Sequence, residues 1–228
     1  VELADLSLQN GHVLSIQNTN RDIDAVVYGG VKKQRWMAGN RKVKNIYQAQ
    51  EAWPKEIAPP GTLIQIAIVY KDRQTTIYRN GKLYATCTLE TGPLLFDQES
   101  VVWLGVMRQK RKGYFNGAIE DARIYDKALD AESIAALQPN VLSKPAPLAW
   151  WNFESGLARD RMGRFADAHL FGNARVSDGK LHLDGEKSFM LAGEAVSKIS
   201  YIYYGLTEET RNFRVFREKL LADPHRPG

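Results

Sequence analysis

The side chains here with the most specific chemistry are aromatic rings set beside arginine and asparagine. Trp36 and Trp53 flank an irregular stretch, 39–60, that also holds Tyr47, Asn40 and Arg41, and Arg35 precedes Trp36. Indole and phenol faces stack on the C–H faces of sugar rings, while guanidinium and amide groups hydrogen-bond the hydroxyls. Arg108 and Tyr114 come from a separate loop and are candidates to join the same site. The competing reading is that both tryptophans only fasten the loop to the body of the protein.

Other reactive groups form weaker patterns. Sugar hydrolysis needs two carboxylates facing one glycosidic bond. Glu120 and Asp121 are adjacent, so on a strand they point to opposite faces and cannot act together. Asp22 and Asp24 could share a face, but Asp and Asn at a strand entry more often serve turn chemistry. His12, His169, His182 and His225 are scattered, with no HxH or HExxH spacing. Cys87 is the one cysteine, so an internal disulfide and a CxxC metal site are both excluded. No catalytic residue is assigned, and the chain is not expected to be an enzyme.

The elements that must position these groups read as β. Leu6 to Val27 alternates in short strands broken at Asn10-Gly11 and Asn18-Thr19-Asn20, and a further strand is expected around Gln34–Ala38. Leu63–Tyr70 is apolar on both faces. Asn80-Gly81 separates Thr75–Arg79 from Lys82–Thr88, and this dipeptide favours the positive φ of a two-residue hairpin turn. Val101–Val106 and Ala118–Tyr125 are further strands. Asp130 is placed as the N-cap of a short helix over Ala131–Leu137, with Glu132 in its first turn. Residues 139–147 read as a crossing segment. A second β-rich block follows with Leu148–Phe153, Val176, Leu181–Leu183 and Phe189–Leu191. From Thr207 the apolar spacing becomes helical, through Phe213, Phe216, Leu220 and Leu221. Trp103 reads as core, and Trp150-Trp151 as one ring inward and one outward.

Composition bounds the partners. The chain has 228 residues, 44% of them hydrophobic, enough for a substantial core. Its net charge of +5 is mild. The basic clusters at 32–35, 41–44 and 108–112 read as solvated loops and edge-strand lysines, so no nucleic-acid partner is expected. No apolar run reaches the length of a membrane helix, and no membrane partner is expected. Val1 in place of Met and the lack of a signal peptide point to an excised or processed piece.

Two blocks carry a resemblance. Phe115–Leu137, FNGAIEDARIYDKALDAESIAAL, resembles the closing segment of laminin-G-like, concanavalin-type jelly rolls: an aromatic-x-Gly turn, a last strand, a Leu, an acidic cap and a small helix. Residues 148–191, with AWWNFESG, DRMGRF and GKLHLDGEKSFML, are similar to that family's opening block. The opening half therefore lies downstream of the closing half. The resemblance implies an all-β, concanavalin-like jelly-roll β-sandwich with one short helix and a C-terminal helical tail; the reversed order fits either one permuted sandwich or the end of one sandwich and the start of another, and the first is the arrangement expected. An isolated stretch of about 45 residues could not bury enough surface to stand alone. The expected domains are 1–193, with 1–138 as the main block and 148–191 completing it, and then 194–228 as a linker and helix. The resemblance also implies a calcium site between Asp121 and Asp160. No other cofactor is expected.

Thr207–Gly228, TEETRNFRVFREKLLADPHRPG, resembles the segment leading into the catalytic propeller of family-32 glycoside hydrolases, the fructan-cleaving enzymes. Their Tyr-His-Phe and Asn-Asp-Pro motifs do not occur before Gly228, so nothing catalytic carries over. The expectation is a carbohydrate-binding or structural accessory module of a fructan-active enzyme. Its partners would be carbohydrate, fructan among them, and a catalytic domain of the same polypeptide. Secretion or export to the periplasm follows from the resemblance alone. A laminin-G-type adhesion module and a glycosidase in its own right stand as alternatives.

Overall fold

Two layers of antiparallel strands enclose the main core of the computed structural model, which describes residues 1–39, 46–97, 99–107 and 113–193. In chain order the elements are β1 (Glu2–Leu3), β2 (Gly11–Gln17), β3 (Ile23–Tyr28), β4 (Trp36–Ala38), α1 (Ile46–Ala49), β5 (Ile66–Lys71), β6 (Gln74–Arg79) and β7 (Lys82–Thr88). They continue as β8 (Val101–Leu104), β9 (Asn116–Ile119), β10 (Ala122–Ile124), α2 (Ala131–Ala135), β11 (Ala149–Trp151), β12 (His169–Phe171), β13 (Arg175–Ser177), β14 (Lys180–Asp184) and β15 (Phe189–Ala192). All the described strands belong to one compact unit, Val1–Glu194. No helix among the described residues is long and apolar enough to cross a membrane. The helix expected from Thr207 lies outside the described residues.

One layer is a six-stranded sheet in the order β12-β15-β8-β2-β3-β4. The other combines the sheet β1-β9-β14-β13, the pair β10-β11 and the sheet β5-β6-β7. The late block completes the early one, as the permuted arrangement requires. β14 lies between β9 and β13, with Leu181 opposite Ile119 and Leu183 opposite Gly117. β15 pairs with β8, placing Met190 opposite Leu104, and β11 pairs with β10, placing Trp151 opposite Ala122. The core between the layers holds Val102, Leu104, Met190 and Ala192 from one side, and Leu3, Ile119, Leu181 and Trp151 from the other.

Local chemistry accounts for the joints. Asn80 and Gly81 have φ of 49° and 72°, so the expected hairpin turn forms. A Cβ on Gly81 would sit 2.9 Å from the Cα of Ala135, so α2 packs directly on this turn. The Asp130 side chain accepts from the Ser133 N–H at 2.7 Å and caps α2. The strand expected over Ala118–Tyr125 is instead two, β9 and β10, because the chain changes partner from β14 to β11 at Glu120–Asp121. The 39–60 stretch includes α1, and no strand forms around Leu6–Leu8.

Candidate functional site

The expected platform around Trp36 and Trp53 is not a surface. Trp36 is fully buried on β4, tilted against Tyr28 with ring centroids 5.0 Å apart. Its Nε1 donates to Glu56 Oε2 at 2.9 Å. Trp53 is 8% exposed and meets Tyr84 edge-on at 6.3 Å. A buried ring offers no face to a sugar, so both tryptophans are corrected to loop fasteners. Arg35 is also committed: Nε donates to the Trp53 carbonyl at 3.0 Å and Nη1 to that of Lys33 at 3.3 Å. Tyr47 lies on α1. Asn40, Arg41 and Arg108 lie outside the described residues, as does the side chain of Tyr47.

Glu56, which the sequence did not single out, holds this region together. It is 1% exposed and accepts two hydrogen bonds from Arg79, each 2.7 Å, besides that of Trp36. The backbone N–H groups of Ile57 and Ala58 donate to its Oε1 at 3.0 and 2.9 Å. Burial pushes its pKa up, but the bonds from Arg79, Ala58 and Trp36 outweigh this and hold it below the ordinary value. The loop's irregularity is thus fixed by one satisfied carboxylate.

The calcium pair is likewise corrected. Asp160 accepts from the N–H groups of Trp150 and Met162 at 2.8 and 3.0 Å, and from those of Arg164 and Phe165 at 2.7 and 2.9 Å. Asp121 takes both Nε and Nη2 of Arg123 at 2.8 Å, the Asn140 N–H at 2.8 Å and Trp150 Nε1 at 3.0 Å. Calcium needs oxygens free of such donors. Among the described residues no cluster of three or more His, Cys, Asp or Glu could hold a metal ion. The outward Trp150 ring is covered too, by Arg123 at 5.1 Å and Arg161 at 5.9 Å from its centroid. Asp22 closes the Asn18 turn, and Asp24 accepts from the Ala25 N–H at 3.0 Å and from the Tyr70 hydroxyl.

Aromatic rings do gather elsewhere. Paired and alternate residues share a face of a sheet. Trp103, Leu191, His169, Phe189 and Phe171 therefore lie on the face of the six-stranded sheet opposite to Val102, Leu104 and Met190. Phe171 and Phe189 stack at 4.6 Å with their planes 13° apart. Trp103 lies 5.6 Å and Tyr114 6.5 Å from Phe189. Phe171, Phe189 and Tyr114 are half-buried, and His169 is exposed. Two buried polar atoms on this face, Trp103 Nε1 and Gln17 Oε1, have no partner. Among the described residues, Tyr114 is the one expected site residue that belongs to this row. It is held by Gly113, whose φ of 107° and close approach to Asn10 allow no side chain. The Gly113 carbonyl accepts from the His12 backbone N–H at 3.2 Å.

The chain matches the Concanavalin A-like lectin/glucanases superfamily over residues 9–135, more than half its length, and belongs to that family. No protein of curated function matches it. The family and the fold define a module of carbohydrate-binding or adhesion type.

Proposed function

We propose that the chain is a non-catalytic carbohydrate-binding module whose contact surface is the row Tyr114, Phe189 and Phe171. The observation that carries this reading is the stacked Phe171–Phe189 pair on the sheet face turned away from the main core. Phe171 and Phe189 are half-buried and held by strand pairing, so apolar contact with sugar C–H faces would cost little ordering. A non-catalytic role fits carboxylates already taken up in structural bonds, as at Asp121, Asp160 and Glu56.

The narrower reading, an accessory module exported with a fructan-active hydrolase, rests on the resemblance at Thr207–Gly228. Affinity electrophoresis through inulin, levan and unrelated glucans tests both levels. Retardation by a fructan that Phe189→Ala abolishes supports the full reading. Retardation by another polysaccharide keeps the module and removes the fructan link. No retardation by any of them leaves the adhesion alternative.

A further inference from the structure

Asn-Gly pairs occur three times, at Asn10-Gly11, Asn80-Gly81 and Asn116-Gly117. Such a pair carries its own reaction. Glycine has no side chain to shield its backbone nitrogen, which can attack Cγ of the preceding asparagine. The new N–Cγ bond closes a succinimide ring, the Cγ–Nδ2 bond breaks, and the side-chain nitrogen leaves as ammonia with the proton of the glycine N–H. Solvent water then opens the ring to aspartate or isoaspartate. The fold treats the three pairs differently. Gly117 lies in β9 between β1 and β14, opposite Leu3 on one side and Leu183 on the other. Gly11 opens β2 opposite Tyr28. Asn10 and Asn116 are half-buried, whereas Asn80 is exposed at the tip of the β6–β7 hairpin.

Gln65, just ahead of β5, holds both reacting groups of that exposed pair. Its backbone N–H donates to Asn80 Oδ1 at 2.8 Å, and its carbonyl accepts from the Asn80 N–H at 2.9 Å. Its side-chain Oε1 accepts from the Gly81 N–H at 2.6 Å, and its Nε2 donates to the Ile134 carbonyl of α2 at 3.2 Å. The first two bonds come from the backbone, so any residue but proline at position 65 could make them. A bond to Oδ1 draws electrons from Cγ and by itself would favour attack. Protection therefore depends on the third bond, which ties down the proton that the attacking nitrogen must lose.

We propose that Asn80 is a deamidation site and that the Gln65 side chain guards it, as a positioning residue that holds the Gly81 amide. The consequence of failure is structural. Isoaspartate at position 80 would add a methylene to the backbone of a two-residue turn whose Gly81 packs directly on Ala135 of α2. Modification would unseat α2 together with the hairpin, so Gln65 sets how long both persist. This role concerns the lifetime of the fold and stands apart from sugar contact at the aromatic row.

The test incubates the folded protein, and the same chain in urea, at mildly alkaline pH, and follows aspartate and isoaspartate at each pair by peptide mapping. Gln65→Met keeps the length of the side chain and loses the acceptor. Gln65→Glu keeps an acceptor and loses the donor to Ile134. In the folded wild type Asn80 is expected to convert far more slowly than in urea. Gln65→Met is expected to speed that conversion by about threefold to tenfold, the worth of one hydrogen bond. Gln65→Glu is expected to stay at the wild-type rate or below, with Asn10 and Asn116 unchanged in both variants. A Met variant no faster than wild type overturns the proposal. Equal acceleration in both variants assigns the effect to the α2 contact and overturns it, and acceleration at all three pairs marks general loosening and overturns it too. Amide exchange in the unaltered protein gives a check free of substitution. Gly81 is expected to exchange slowly, and exchange as fast as in the unfolded chain overturns the proposal.

Discussion

Glu56 and His12 show how single buried polar groups set the molecule's tolerance to change. Replacing Glu56 with Gln removes the charge that Arg79 and Trp36 converge on, and leaves Arg79 without its partner. The expected loss is about 3 kcal/mol of unfolding free energy, read from urea midpoints. Because the folded pKa is depressed, this contribution is complete above the unfolded value of about 4.3 and is lost as the pH falls through the folded one. His12 acts at higher pH. Its Nδ1–H donates to the Asn10 carbonyl at 2.9 Å, and burial lowers its pKa. The unfolded imidazole therefore takes a proton near pH ~6.5, before the folded one does, so stability falls as the pH drops below that point. His12→Gln is expected to flatten that part of the profile. At Asp121 and Asp160 the N–H donors leave nothing for a cation, so Tm is expected to be the same in calcium and in chelator. The aromatic residues chosen from sequence were misplaced for a simple reason. Trp36 and Trp53 flank a loop whose ordering depends on Glu56 and Arg79, 23 residues apart, and no local spacing announces that bond.

Elements differ in how far local chemistry specifies them. The Asn80-Gly81 hairpin and the Asp130 cap were legible because each is set by residues within a few positions of one another. Gly81→Ala should cost about 1 kcal/mol or more, from the positive φ and from the closeness of Ala135, as measured by thermal unfolding. The Phe171–Phe189 stack was not legible. Each ring sits in an ordinary alternating strand, and only the register of β12 on β15 brings them together. The break between β9 and β10 was hidden likewise, since the Glu120-Asp121 pair between them does not by itself reveal a change of partner.

At the level of the whole molecule, the late block supplies β11 to β15 and so closes both layers of the sandwich. A chain ending at Pro147 is expected to lose cooperative unfolding and to aggregate, because β8 and β9 would each expose an edge that β15 and β14 now cover. That dependence was readable from the order of the two resembling blocks, whereas the face proposed for binding was not. The central claim is that sugar meets the aromatic row and not the loop. It is tested most directly by following aromatic side-chain NMR signals during titration with the oligosaccharide of whichever polysaccharide retards the protein. Shifts in Tyr114, Phe171, Phe189 and the Trp103 indole N–H, with Trp36 and Trp53 unmoved, are the predicted result. Movement of Trp36 and Trp53 with the row silent would contradict it.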